Sequence, residues 1–131
     1  CLTRKLKPLK IMADHNEIGI QGEQLATEHL VAKGYKIRDR NWRFGKDEID
    51  IIAIDGDEIV FVEVKTRNSD FFGNPAEAVT RSKQAHMIKA ANVYMEKHDT
   101  DFEVRFDVIG IILNQKEQKI DHIEGAFIPR W

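Results

Sequence analysis

The apolar positions of this chain fall into runs whose spacing predicts helices and strands in turn. Across residues 16–33, Ile18, Gly22, Leu25, Ala26 and His29 recur every three to four positions on one stripe, the period of an amphipathic helix. Asp14 or Asn16 can cap its start, and Gly34 is a fitting stop. Residues 35–42 predict a strand or an extended entry segment. Two β-branched runs follow, EIDIIAID and EIVFVEVKT, around a Gly-Asp turn, and they predict a hairpin. Ile49, Ile51, Ile52, Ala53 and Ile54 are nearly continuous, as are Ile59 to Val62, so both strands should be central and covered on both faces. A loop over residues 66–75 contains Gly73 and Asn74-Pro75. A second helix starts at Pro75 or Thr80 and runs to His98, with Ala85, Ile88, Ala91, Val93 and Tyr94 as its expected core. Glu103 to Leu113 predicts a long strand, and KIDHIEG a short last one after a turn at residues 114–118. The order α-β-β-β-α-β-β predicts an α/β fold: a central mixed sheet with a helix on each side, a three-layer α/β/α sandwich.

Composition agrees with one domain. The 131 residues are 42% hydrophobic and 32% charged, enough apolar material for a real core. No apolar run approaches the roughly 18–20 residues that a membrane span requires, and no apolar segment follows the basic first residues as a secretory signal would demand. The single Cys is residue 1, which excludes a disulfide framework and a cysteine metal site and makes a cytoplasmic protein the expectation.

Charge divides the chain unevenly. Residues 1–11 hold Arg4, Lys5, Lys7 and Lys10 and no acid, whereas from Met12 onward 16 basic residues face 22 acidic ones, a balance of −6. Residues 1–11 therefore read as a leader or appended segment, poorly ordered, ahead of a single domain over 12–131. The alternative is a basic arm that binds nucleic acid. A mildly acidic domain argues against tight non-specific binding to a polyanion, so any nucleic-acid contact must come from a local basic patch or through bound cations.

The hairpin carries the candidate chemistry. With a loop at Asp55–Glu58, or a two-residue Gly56-Asp57 turn, Ile54 pairs with Ile59 and Asp50 falls opposite Glu63. A three-residue loop would shift that pairing by one. Because side chains alternate between faces, Asp50, Glu63 and Lys65 then share one face with Ile52 and Phe61. Facing carboxylates repel, and burial penalises their charged forms further. Lys65 offsets part of this, and a hard divalent cation such as Mg²⁺ or Mn²⁺ would offset more. Glu23, at the margin of the first helix's apolar stripe, is placed to supply a third ligand or a base for water, with Gly19 and Gly22 allowing close approach of the helix. The chemistry this favours is phosphodiester hydrolysis: Asp50 and Glu63 as metal ligands, the Val64 carbonyl as a further one, and Lys65 positioning water or offsetting charge on the phosphate.

The pattern Asp50…Glu63-Val64-Lys65 after a Glu-bearing helix resembles the PD-(D/E)xK, or restriction-endonuclease-like, superfamily, although Ile49 stands where the proline of that name would be. More narrowly, Gly19 to about Pro129 resembles the bacterial YraN family of small proteins. The resemblance lies in GEQLATEHLVAKGYKIRDRNWR, EIDIIA, IVFVEVKTR, the FGNPAEAV loop and VRFDVIGI. That family is similar in fold to archaeal Holliday-junction resolvases. The resemblance implies a metal-dependent nuclease fold that acts on, or binds, structured DNA. It carries the superfamily's acidic metal ligands onto Asp50 and Glu63, its lysine onto Lys65 and its helical glutamate onto Glu23.

Around this core, Arg67, Arg81, Lys83 and Lys89 are candidate phosphate contacts. Gln84 is a candidate to reach the metal site, and Arg43, beside Trp42, Phe44 and Lys46, a candidate nucleic-acid contact. The five histidines show no metal-ligand spacing: His29 reads as a helix-face residue and the others as surface. Asp107 reads as a brace for the first helix or for Arg105. Three functions stay open: a Mg²⁺- or Mn²⁺-dependent endonuclease on branched DNA, acting as a homodimer because junctions are two-fold symmetric; a non-catalytic nucleic-acid-binding module; and a protein-interaction scaffold. The final segment AFIPRW would form part of a dimer interface or close the core.

Overall fold

The computed structural model describes residues 15–68, 74–98 and 101–129, with the side chains of residues 15 and 16 left aside. Residues 1–11, read above as a leader, lie outside the described residues. Helix α1 spans His15–Ala32, followed by strands β1 (Lys36–Phe44), β2 (Asp47–Asp55) and β3 (Glu58–Arg67). A 3₁₀ turn (Pro75–Ala78) then leads to helix α2 (Arg81–His98), β4 (Glu103–Leu113) and β5 (Gln118–Phe127). The strands form one mixed sheet in chain order, β1-β2-β3-β4-β5. Only β3 and β4 pair in parallel, with α2 in the crossover between them; the other pairs are antiparallel.

The hairpin closes as its turn residues dictate. Ile54 pairs with Ile59 and Asp55 with Glu58 around Gly56 and Asp57, and Gly56 takes the left-handed conformation (φ 63°). Because β2 and β3 lie inside the sheet, their two faces bury different neighbours. Ile59 and Phe61 join Ile49, Ile52, Met87, Ala90, Ala91 and Tyr94 in the cluster under α2. Val60 and Val62 join Ala26, Leu30, Ile51, Ile109 and Ile111 in the cluster under α1. Each fully buried large side chain of this kind contributes about 1.5–3 kcal/mol.

The α2 core differs from the sequence expectation. Met87, Ala90, Ala91 and Tyr94 are its buried residues, whereas Ala85 is exposed and Ile88 and Val93 are half-buried. The observed stripe keeps Ala91 and Tyr94 of the expected one, with Ile88 packed at its margin, and takes Met87 and Ala90 in place of Ala85 and Val93; of the two expected starts, the helix uses the one at Thr80. The 3₁₀ turn ends at Ala78, and Thr80 restarts the chain: its hydroxyl accepts the Lys83 N–H at 3.1 Å and its carbonyl the Gln84 N–H at 2.8 Å. Tyr94 then anchors the helix on β1, donating to Asp39 Oδ2 at 2.7 Å and meeting Trp42 edge-on at 5.2 Å.

Helix α1 comes close to the sheet at one glycine. A Cβ at Gly22 would collide with the Thr66 side chain, whereas one at Gly19 would meet nothing within 4 Å. The expected close approach therefore rests on Gly22 alone. It seats Glu23 beside the end of β3 that carries Glu63, Lys65 and Thr66.

A candidate carboxylate–lysine site

The regular ladders stop on both sides of Asp50. The β1–β2 register passes from Arg40↔Ile51 to Trp42↔Ile49, leaving out the pair Asn41 and Asp50. The β2–β3 register ends at Ile51↔Val62, one step before Asp50 and Glu63 would meet. Side chains also change faces here. Ile49 lies in the cluster under α2 and Ile51 in the cluster under α1, although residues two apart on a regular strand share a face. The Asp50 carboxylate uses the opening: its Oδ2 accepts the Val64 N–H at 2.8 Å, a side chain taking a main-chain donor of β3.

Glu63 stands on the α2 face of β3 and is only 5% exposed. Lys65 Nζ lies 3.5 Å from its Oε2 and Lys83 Nζ 3.7 Å from its Oε1. Both separations exceed a good charge-assisted hydrogen bond, and Glu63 Oε1, fully buried, has no hydrogen-bond partner. Burial, reinforced by the charge of Glu63, pushes the Asp50 carboxyl up to about 8, against the opposing pull of the Val64 N–H. Glu23 adds a smaller push in the same direction.

Glu23 lies at the rim. Burial raises its carboxyl above the usual range, while a hydrogen bond from the Asn41 side chain and the charge of Arg40 pull it down. Arg40 NH2 stands 4.0 Å from Glu23 Oε1 and Arg40 NH1 donates to Gln24 Oε1 at 3.1 Å. Among the described residues, no three His, Cys, Asp or Glu side chains converge tightly enough to hold a metal ion between them. The close carboxylate set is thus Asp50 and Glu63, with Glu23 set back from it.

The donor chemistry still fits a hard cation. Glu63 is buried with one oxygen lacking a partner, Asp50 is half-buried beside it, and ionising Asp50 is opposed by its surroundings. Mg²⁺ commonly takes one or two protein carboxylates and keeps several waters. Asp50, Glu63 and the Val64 carbonyl are the groups that would hold it.

The outer candidates separate. Lys83 reaches the site from the first turn of α2. Gln84 does not: its Nε2 donates to the Val79 carbonyl at 3.1 Å, closing the start of α2. Arg43 points to solvent with a 3.7 Å pairing to Glu48, and Arg67 ends β3. Trp42 packs in the core against Tyr94. His122 corrects the surface reading of the histidines, because its side chain is only 4% exposed and its Nε2 lies 2.7 Å from Asp107 Oδ2. Asp107, fully buried, also receives Arg105 through both oxygens at 2.9 Å and the Gly125 N–H at 3.0 Å. That cluster faces α1, near the hairpin tip rather than near Glu63: Arg105 NH1 reaches Asp55 at 2.9 Å and Glu58 at 2.7 Å. Asn41 was not singled out by sequence; a left-handed residue inside a strand leaves no mark in the hydrophobic pattern.

The molecule is thus an α/β protein with a mixed five-stranded sheet, two helices and a buried carboxylate–lysine cluster at a break in its ladders. Residues 22–111 match the model of the uncharacterised protein family UPF0102, and the chain belongs to that family. It is 46% identical over 118 residues to a UPF0102 protein of Phocaeicola vulgatus, a match covering 90% of this chain and 98% of the other. A Flavobacterium psychrophilum member is 48% identical over 116 residues, covering 88% of this chain and 98% of that protein. One of Alkaliphilus oremlandii is also 48% identical over 116 residues, covering 86% and 99%. Among solved structures, Pyrococcus furiosus SfsA in complex with Ca²⁺ aligns with a TM-score of 0.34 at 14% identity. That alignment covers 85% of this chain and 64% of SfsA, a likeness too slight to carry an argument. No helix among the described residues is long and apolar enough to cross a membrane.

Proposed function

We propose that this protein is a Mg²⁺- or Mn²⁺-dependent endonuclease of the restriction-endonuclease-like, three-layer α/β/α class, acting on branched or otherwise structured DNA in the cytoplasm. One observation carries the reading: a buried carboxylate, Glu63, and a half-buried one, Asp50, repel each other at a break in the sheet with a lysine beside them. A purely structural site would gain by replacing Asp50 with a neutral acceptor wherever both acids would otherwise ionise. A bound cation would supply Lewis acidity and a water acidified toward neutral pH.

The chain's own groups have separable tasks. Asp50, fixed by the Val64 N–H, presents its other oxygen. Glu63, held on a central strand between Lys65 and Lys83, presents its unpartnered oxygen. Lys65, about one-third exposed, is able to orient water or to offset charge growing on a phosphate. Lys83 and Arg67 are proposed phosphate contacts that offset the acidic balance of the domain. A two-fold symmetric junction calls for two copies of the chain.

The test is Mn²⁺ calorimetry on the wild type and on Asp50→Ala, followed by cleavage assays on duplex, single-stranded and four-way-junction DNA. The expected result is Mn²⁺ binding by the wild type, its loss in the folded variant, and metal-dependent cleavage of the junction. DNA binding that survives Asp50→Ala, with no cleavage by either protein, would favour a binding module instead. Absence of Mn²⁺ binding at millimolar metal would overturn the enzymatic reading.

A further inference from the structure

The two edges of the sheet differ in charge. β1, the edge next to the strand of Asp50, holds Lys36, Arg38, Arg40 and Arg43, all exposed, against one acid, Asp39. That acid is taken up by Tyr94, which donates to its Oδ2 at 2.7 Å. Lys46 extends the row into the following turn. β5, the far edge, holds Lys119 against Asp121 and Glu124. From Met12 onward acids outnumber bases, so the basic row runs against the composition of the domain.

Protection of a free edge does not account for the row. Charge of either sign hinders edge-to-edge pairing, and β5 carries a mixed set. β1 is also irregular. Its register with β2 shifts between Ile37 and Asp39, and Asn41 has a left-handed backbone (φ 54°), so it is a poor template for another strand. The arginines are weakly paired besides. Arg40 NH2 stands 4.0 Å from Glu23 Oε1, and the Arg43 side chain, 73% exposed, has NH2 3.7 Å from Glu48 Oε2. Exposed pairs of this length contribute little and leave the cations available to a stronger anion.

The row is extended rather than convergent. At ~3.3 Å per residue, Lys36 to Arg43 spans ~23 Å, and one strand of B-DNA places a phosphate every ~3.4 Å along its axis. A polymer of phosphates matches that length; a single small anion does not. The row also has a fixed place relative to the carboxylates. Asp50 falls in register between Arg40↔Ile51 and Arg43↔Glu48, and adjacent strands lie ~4.8 Å apart. A backbone resting on β1 therefore passes one strand away from Asp50.

We propose that the β1 edge is a docking surface for the sugar–phosphate backbone of DNA, with Lys36, Arg38, Arg40, Arg43 and Lys46 as its phosphate contacts. This inference deepens the nuclease reading given above and rests on it. Contacts to phosphate supply affinity and position and carry no sequence preference.

The experiment is fluorescence anisotropy on the full chain with a labelled duplex and a labelled four-way junction, in EDTA and in Ca²⁺, over a series of salt concentrations. The β1 variants are Lys36→Gln/Arg43→Gln and Lys36→Gln/Lys46→Gln. Lys116→Gln/Lys119→Gln, beside the far edge, removes the same charge as a control. Melting temperature and Mn²⁺ calorimetry accompany each protein. Each β1 pair should weaken binding ~10–100-fold at ~0.1 M salt and make the salt slope shallower by about 2. The control should keep wild-type affinity, and all variants wild-type Mn²⁺ binding. Wild-type DNA affinity in a folded β1 variant, or an equal loss in the control, would overturn this inference and leave the nuclease reading standing. Binding of poly-glutamate as tight as that of the duplex would give the edge an acidic protein partner and overturn it likewise. A wild type that binds no DNA in either buffer would overturn it too, and its Mn²⁺ binding then shows whether the nuclease reading falls with it.

Discussion

Asp50 Oδ2 accepts the Val64 N–H at 2.8 Å, so a side chain of β2 stands where a main-chain carbonyl would complete the ladder. The exchange satisfies a buried donor but brings a carboxylate next to Glu63, and the two acids are then held together by the sheet itself.

The pH dependence of stability follows from that arrangement. The Asp50 carboxyl is raised in the folded protein, so the fold binds a proton that the unfolded chain releases. Its contribution is fully present below the ordinary aspartate range and is lost as pH rises through about 8. Asp50→Asn keeps an acceptor for the Val64 N–H and removes the charge. Without metal it should match the wild type near pH 4 and be more stable by about 1–3 kcal/mol at pH 8 to 9, less than the full displacement because the site relaxes. Urea denaturation at the two pH values measures this; a variant less stable at both would refute the account.

The contact between α1 and β3 makes a sharper steric prediction. Gly22→Ala drives a methyl into Thr66 and should destabilise by about 1–3 kcal/mol. Thr66→Ala in the same chain should recover only part, because the Thr66 Cβ is itself close. Gly19→Ala, with open space around it, should stabilise by about 0.5–1 kcal/mol through helix propensity. Thermal denaturation of the three variants decides it; equal effects at positions 19 and 22 would contradict the packing.

Asp107, a buried acid on the α1 face of the sheet, responds to pH in the opposite sense. Burial alone would raise the Asp107 carboxyl, but the hydrogen bonds from His122, Arg105 and the Gly125 N–H outweigh it and hold the group below the usual range. Its contribution is present above the ordinary aspartate value and is lost as pH falls through the lowered one. Asp107→Asn should cost about 3–5 kcal/mol at pH 7, with Arg105 losing its buried partner, and the deficit should shrink toward pH 3. A deficit independent of pH would show that packing, not charge, supports this corner.

Local pattern carried most of the fold. The Gly56-Asp57 turn sets the hairpin register, and the apolar run VIGIIL, Val108 to Leu113, marks a buried strand, because both depend on neighbours in sequence. What escaped depends on docking. In α2, Ala91 and Tyr94 were legible, but Met87 and Ala90 join the stripe only through the way the helix docks on the sheet. His122 reads as surface until β5 pairs Ile109 with it and sets it beside Asp107. Alternation places Glu63 and Lys65 together on one face of β3, but it does not carry Asp50 there, because the β2–β3 ladder ends before Asp50 and β2 changes faces around it. The approach of Lys83, and the ladder break that Asn41 shares with Asp50, are tertiary facts with no local signature.

The lone parallel pairing also sets an order on the birth of the molecule. Strands β1 to β3 form a meander that can assemble as it emerges, but the outer edge of β3 has no partner until Glu103–Leu113 has been made and α2 has crossed the sheet. During synthesis that edge is the apolar run IVFV, a strand open to any passing chain. Glu63, Lys65 and Arg67 follow it directly, charges of the kind that hinder mispairing of an apolar strand. The same residues that crowd the finished site would thus guard the nascent chain, and replacing them with neutral ones would trade a relaxed sheet for a protein prone to aggregate before it folds.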